Sequence, residues 1–86
     1  LKAAGIIATR GHCQGASARD GKCCALGAID RATSDAALVQ QACATLCTYL
    51  KIQGPALSRV VVWNDTPGRT AAEVERALRG ATEIAP

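Results

Sequence analysis

Large side chains are scarce in this chain. Aromatics make up 2% of its 86 residues, one Trp and one Tyr, and there is no Phe and no Met. A core of packed rings is excluded. So is a row of stacking platforms for single-stranded nucleic acid, since only Trp63 and Tyr49 could contribute. Long apolar runs are missing too. None reaches the roughly 18 residues of a membrane span, and the opening Leu1–Ala8 is broken too soon by Arg10 to act as a secretory signal core. The expectation is a cytoplasmic protein with no membrane contact. Lys and Arg never form a dense run, and no Gly-x-Gly-x-x-Gly, P-loop or Cys-x-x-Cys motif occurs. No cofactor is expected.

What is present is small and apolar. Hydrophobic residues are 49% of the chain, supplied by Ala, Val, Leu, Ile and Cys, and the Ala content favours helices that approach closely. The length allows one domain, spanning 1–86, with a modest core. That core could be completed by a second copy, so a homodimer is an expected partner state. The net charge of +3 sits in the first third. There Lys2, Arg10, Arg19, Lys22 and Arg31 face only Asp20 and Asp30, while the remainder balances. Such a bias suits a solvated face first and an acidic or nucleic-acid partner second.

Periodicity predicts an all-α bundle of about four short helices with an irregular loop at 11–22. A first helix runs to Arg10 and stops at Gly11, a residue that accepts the left-handed conformation after a helix end. Residues 12–21 are read as loop. A hairpin turning at Asp20-Gly21 is the competing reading, and the lack of alternating apolar flanks weighs against it. Lys22–Ala32 is helix-like. Thr33-Ser34-Asp35 caps the longest helix, with Val39, Cys43, Leu46 and Leu50 on one stripe widened by Ala36 and Cys47, and Gly54-Pro55 as its stop. Pro55–Trp63 has helical spacing but β-branched content, and is read as a short helix because a lone strand would have no partner. Thr70-Ala71-Ala72-Glu73 is a capping box opening the last helix, which carries a Glu75/Arg79 pair and is expected to end at Gly80.

The stretch Trp63-Asn64-Asp65-Thr66-Pro67-Gly68-Arg69-Thr70 combines the sole Trp, a tight turn and a helix start. Together with Gly11-His12-Cys13-Gln14-Gly15-Ala16 and Cys24-Ala25-Leu26-Gly27-Ala28, it resembles a small uncharacterised family of actinobacterial and actinophage proteins. The family pattern is a Gly-aromatic-x-Gln-Gly-Ala segment, a Cys-x-x-Gly-Ala helix and a Trp-Asn-Asp-x-Pro-x-Arg-Thr turn. The resemblance covers nearly the whole chain, although His12 replaces the aromatic and the loop before Cys23 is short. It implies no activity.

Functional residues follow by elimination. His12, Cys13, Cys23 and Cys24 have the wrong spacing for a zinc site. Cys13 beside His12 is the one adjacent thiol and imidazole, a thin basis for nucleophilic catalysis. Five cysteines, an odd number with Cys23 and Cys24 adjacent, read as buried small hydrophobes in a reducing compartment. The segment 22–51 has a helix-turn-helix outline, but its second helix exposes Gln and Thr rather than Arg or Lys. No catalytic or metal-binding residue is assigned. Trp63, Asn64, Asp65 and Arg69 are the candidate binding residues of a non-catalytic protein-interaction module, with a small nucleic-acid-binding or regulatory protein as the alternative. The same four residues also suit a purely structural corner, in which Trp63 fills the core, Asp65 caps N–H groups across the turn and Arg69 pairs with a carboxylate.

Overall fold

A computed structural model describes residues 2–16 and 18–84 of the chain. The chain is mostly helical, with five helices rather than four: α1 (Lys2–Arg10), α2 (Ala25–Ala32), α3 (Ala36–Leu50), α4 (Ala56–Asn64) and α5 (Ala71–Ile84). The short helix expected over Pro55–Trp63 is formed as α4. Its Val60-Val61-Val62 run carries strand-like residues, yet Val60 alone of the three is buried, and one inward side chain per turn is a helical demand.

The segment 11–22, expected to be irregular loop, instead contains the competing hairpin. Strands β1 (Ala18–Arg19) and β2 (Lys22–Cys23) pair antiparallel, with Ala18 opposite Cys23. Asp20 and Gly21 link them with φ of 52° and 81°, the positive values that a type I′ turn needs at both centres. Alternating apolar flanks are unnecessary because the strands are only two residues long. The hairpin is held instead by its backbone. Cys23 N–H donates to the Gly11 carbonyl and Cys13 N–H to the Cys23 carbonyl, each at 3.1 Å. Consequently α2 starts at Ala25 and not Lys22, with the Cys24 thiol accepting from Gly27 N–H at 3.2 Å.

Several boundaries have local causes. Gly11 (φ 92°) ends α1, as its sequence position suggests. The Asp35 carboxylate caps α3 through Ala37 N–H at 2.9 Å, while the Thr33 hydroxyl accepts from Asp35 N–H at 3.2 Å. Lys51, in the left-handed region at φ 60°, stops α3 before Gly54-Pro55 is reached, and Ile52 N–H closes the end on the Cys47 carbonyl at 2.9 Å. The capping box is formed in both directions: Glu73 N–H donates to the Thr70 hydroxyl at 3.2 Å and Thr70 N–H to the Glu73 carboxylate at 3.0 Å.

One core collects residues from every helix, including Ala4, Ile7, Ala28, Ile29, Val39, Cys43, Leu46, Cys47, Val60, Val74 and Leu78. Small residues let helices approach, and the anticipated stripe of α3 is buried from Val39 to Cys47. Leu50 is half-buried and Ala36 exposed. All five cysteines are free and buried. Among the described residues, no helix is long and apolar enough to cross a membrane.

The last helix does not end at Gly80. It continues to Ile84, and Gly80 serves packing instead: a side chain there would overlap the Tyr49 ring, which lies directly against α5. In an open helix, Gly→Ala adds about 1 kcal/mol of stability. Here Gly80→Ala is expected to give no gain and to lower Tm, because the ring has to move. In a Tyr49→Ala background the same substitution should recover the full gain. A double-mutant cycle by thermal unfolding reads the difference, and a stabilising Gly80→Ala in the wild-type background would contradict this packing.

Candidate functional site

The Trp63–Thr70 stretch turns from the end of α4 into the start of α5, and its four candidate residues fall into two groups on different sides of the corner. Asn64 and Asp65 face the 12–16 segment. Trp63 and Arg69 face α5 and the end of α3.

Asn64 is the one buried polar side chain in the described core, with 0% exposure. Its amide makes four hydrogen bonds. Oδ1 accepts from Ala25 N–H at 2.9 Å and from His12 Nε2 at 2.8 Å. Nδ2 donates to the Cys13 carbonyl at 3.0 Å and to the Asp65 carboxylate at 2.9 Å. The orientation of the amide is set by these partners, since Ala25 N–H can only donate and the Cys13 carbonyl can only accept. It follows that His12 carries its hydrogen on Nε2. A buried amide with both lone-pair sites and both hydrogens used has no capacity left for a ligand. Asn64 is therefore a structural hub that ties α4 to the start of α2 and to the 12–13 segment.

Asp65 extends the same clamp by accepting from Gly15 N–H at 3.0 Å. The Gln14 amide in turn donates to the Asn64 and Thr66 carbonyls at 2.9 and 2.8 Å. The hydrogen bond from Gly15, then that from Asn64, holds the Asp65 carboxyl below the usual carboxylate range, with nearby His12 adding to the effect. Asp65 was expected to cap N–H groups across its own turn; its carboxylate instead accepts from Gly15 N–H, 50 residues away, and from the Asn64 amide.

Trp63 and Arg69 build something different. The Arg69 guanidinium lies over the Trp63 ring, 4.5 Å from its centroid. Its Nε donates to the Trp63 carbonyl at 3.0 Å and its Nη1 to the Glu73 carboxylate at 3.1 Å. Glu73 thus serves the capping box with one oxygen and Arg69 with the other, and hydrogen bonds from Thr70 and Arg69 hold its carboxyl below the ordinary range. The carboxylate partner that the structural reading expected for Arg69 is Glu73. Trp63 is half-buried and packs against the core without entering it. One wall of an open cleft of about 180 Å³ results, shared with Tyr49, Leu50, Arg76 and Ala77.

A model of a family of unknown function, DUF6197, matches residues 1–84, almost the entire chain. The chain belongs to this family. No curated protein and no solved structure matches it.

In this DUF6197 chain, the pairing of His12 with Cys13 does not assemble a nucleophile. The imidazole bonds to Asn64, whereas the Cys13 thiol points to the Ala16 and Lys22 carbonyls at 3.3 and 3.8 Å. Burial raises the Cys13 and Cys47 thiols and pushes Cys43 up to about 11, which disfavours the reactive thiolate. Among the described residues, no three His, Cys, Asp or Glu side chains converge as a metal site would require. Tyr49, Arg76 and Glu73 are cleft residues that sequence reasoning did not select. The available signal for Tyr49 was the glycine at 80, inside a helix with no end to mark.

Two predictions follow from the clamp. Asn64→Leu should lower the unfolding free energy by about 2–4 kcal/mol, because the Ala25 N–H and the Cys13 carbonyl are left buried without partners. Urea denaturation measures this, and a loss under about 1 kcal/mol would remove Asn64 from its hub role. For Asp65 the folded pKa is depressed, so its contribution is present above the ordinary carboxylate range and is lost as pH falls through the depressed value. Thermal melts from roughly pH 7 down to 2 should show wild type more stable than Asp65→Asn near neutrality, with the gap closing below roughly pH 4. A gap that stays constant across the acid limb would contradict the assignment.

Proposed function

We propose that this chain is an accessory protein of actinobacterial or actinophage origin, a single small domain that acts in the cytoplasm by binding another protein and performs no chemistry of its own. One observation carries the reading. The chain has two aromatic residues, neither is buried within the core, and both line one cleft. A protein short of large side chains gains most stability by burying them. Leaving Trp63 and Tyr49 together at a surface cleft, with Arg69 and Arg76, concentrates the three residue types most enriched at interface hot spots.

Other features support the rest of the proposal. Five free, buried thiols suit a reducing compartment. The Trp-Asn-Asp-x-Pro-x-Arg-Thr turn, from which the actinobacterial and actinophage origin is inferred, supplies both the Asn64 clamp and the Trp63 wall. The misaligned His12/Cys13 pair and the raised thiols favour binding over catalysis.

Affinity capture from actinobacterial lysate tests the reading, using wild type beside the Tyr49→Ala/Arg76→Glu double variant, each with and without nuclease. The expected result is a protein recovered by wild type in both conditions and lost with the variant. Recovery that depends on nucleic acid would favour the nucleic-acid alternative. A partner retained by the variant would move the interface away from the cleft.

A further inference from the structure

Resting on the reading of the Tyr49/Trp63 cleft as a protein-binding site, we propose that its partner is an acidic segment, which seats one large apolar side chain between Tyr49 and Trp63 and sets a neighbouring carboxylate on Arg76.

Three features argue for that occupant. The first is size. A cleft of about 180 Å³ lies below the roughly 300–1,000 Å³ of small-molecule sites. It suits a single anchoring side chain rather than a nucleotide or an organic cofactor.

The second is rigidity. The Tyr49 ring rests on α5 where Gly80 leaves space for it, and Trp63 is held by the Arg69 guanidinium 4.5 Å above its centroid. Walls fixed before binding lose little freedom when a side chain enters. The same stacking covers one face of the indole, so a nucleobase has no free approach from that side.

Charge is the third. Arg69 is neutralised by Glu73 at 3.1 Å, and Arg79, farther along α5, is paired with Glu75 at 3.2 Å. Arg76 lies between them, exposed and lining the cleft, and among the described residues it meets no carboxylate. The cleft therefore carries one uncompensated positive charge beside an apolar slot. Its complement is a carboxylate next to an apolar side chain.

The test is a selection of random heptapeptides on the immobilised full-length chain, followed by titration of the synthesised winners through the fluorescence of Trp63, the sole indole. Wild type should enrich peptides with Asp or Glu beside a large apolar residue, and these should shift Trp63 emission. Arg76→Glu should weaken them by roughly tenfold, the scale of an exposed ion pair turned into a repulsion, and should reselect Lys or Arg beside the same apolar residue. Tyr49→Ala should abolish binding and Tyr49→Phe should retain it, with circular dichroism showing each variant folded. Acidic winners that bind Arg76→Glu unchanged would overturn the charge assignment and leave the cleft standing as the site. Winners indifferent to Tyr49→Ala would overturn the cleft reading itself. No enrichment, or a Trp63 response confined to a single-stranded oligonucleotide and lost steeply with salt, would overturn both. A dimer seen by light scattering that dissolves in Tyr49→Ala would replace the acidic segment with a second copy of this chain.

Discussion

The fold depends on the Asn64 side-chain amide. It sits at the last residue of α4, and its four bonds reach α2, the 12–13 segment and Asp65. An unpaired buried amide costs free energy, and a fully paired one confers direction as well as stability. Hydrophobic burial among Ala, Val, Leu, Ile and Cys is non-directional and tolerates many helix arrangements. The amide accepts only one. In a core with few large interlocking side chains, a saturated polar hub supplies specificity that shape complementarity supplies elsewhere.

The features legible in the sequence are those whose partners lie within a few residues. Thr70 and Glu73, Glu75 and Arg79, Gly11 after Arg10, and the α3 stripe from Val39 to Cys47 all have near partners, and all are formed. The α4 helix was readable for a related reason: Val60 and Asn64 stand one helical turn apart and are both buried. Boundaries failed where a non-local contact took over. β2 exists because Cys23 bonds to Gly11 and Cys13, which no flanking pattern announces. Gly80 looked like a helix end because its real reason, the Tyr49 ring, belongs to another helix. The four candidate residues lie within seven positions and read as one site, yet the long-range partners of Asn64 lie 39 to 52 residues away. Only the fold could divide the motif into a clamp and a cleft.

That division also alters what Trp63 means. As the one large filler of a small core, it would need no function. The core instead closes around Ile7, Leu46, Val60 and Val74, and the indole remains at its margin beneath a guanidinium. The guanidinium is held by Glu73, and Glu73 is held by the capping box. A local helix-start motif therefore propagates outward: Thr70 orients Glu73, Glu73 orients Arg69, and Arg69 orients the ring. Each step is a short-range interaction of modest strength. Their combined effect is to fix the indole at the margin of the core.

The opposite wall is fixed by different means. Among the described residues, Tyr49 has no comparable set of hydrogen bonds holding it. It is placed because α5 carries a glycine where any other residue would displace it, although an alanine at 80 would make the isolated helix more stable. At this position the chain forgoes helix propensity and seats a partly exposed ring instead. The two aromatic residues thus reach the same cleft by independent routes, one through a polar relay and one through a missing side chain.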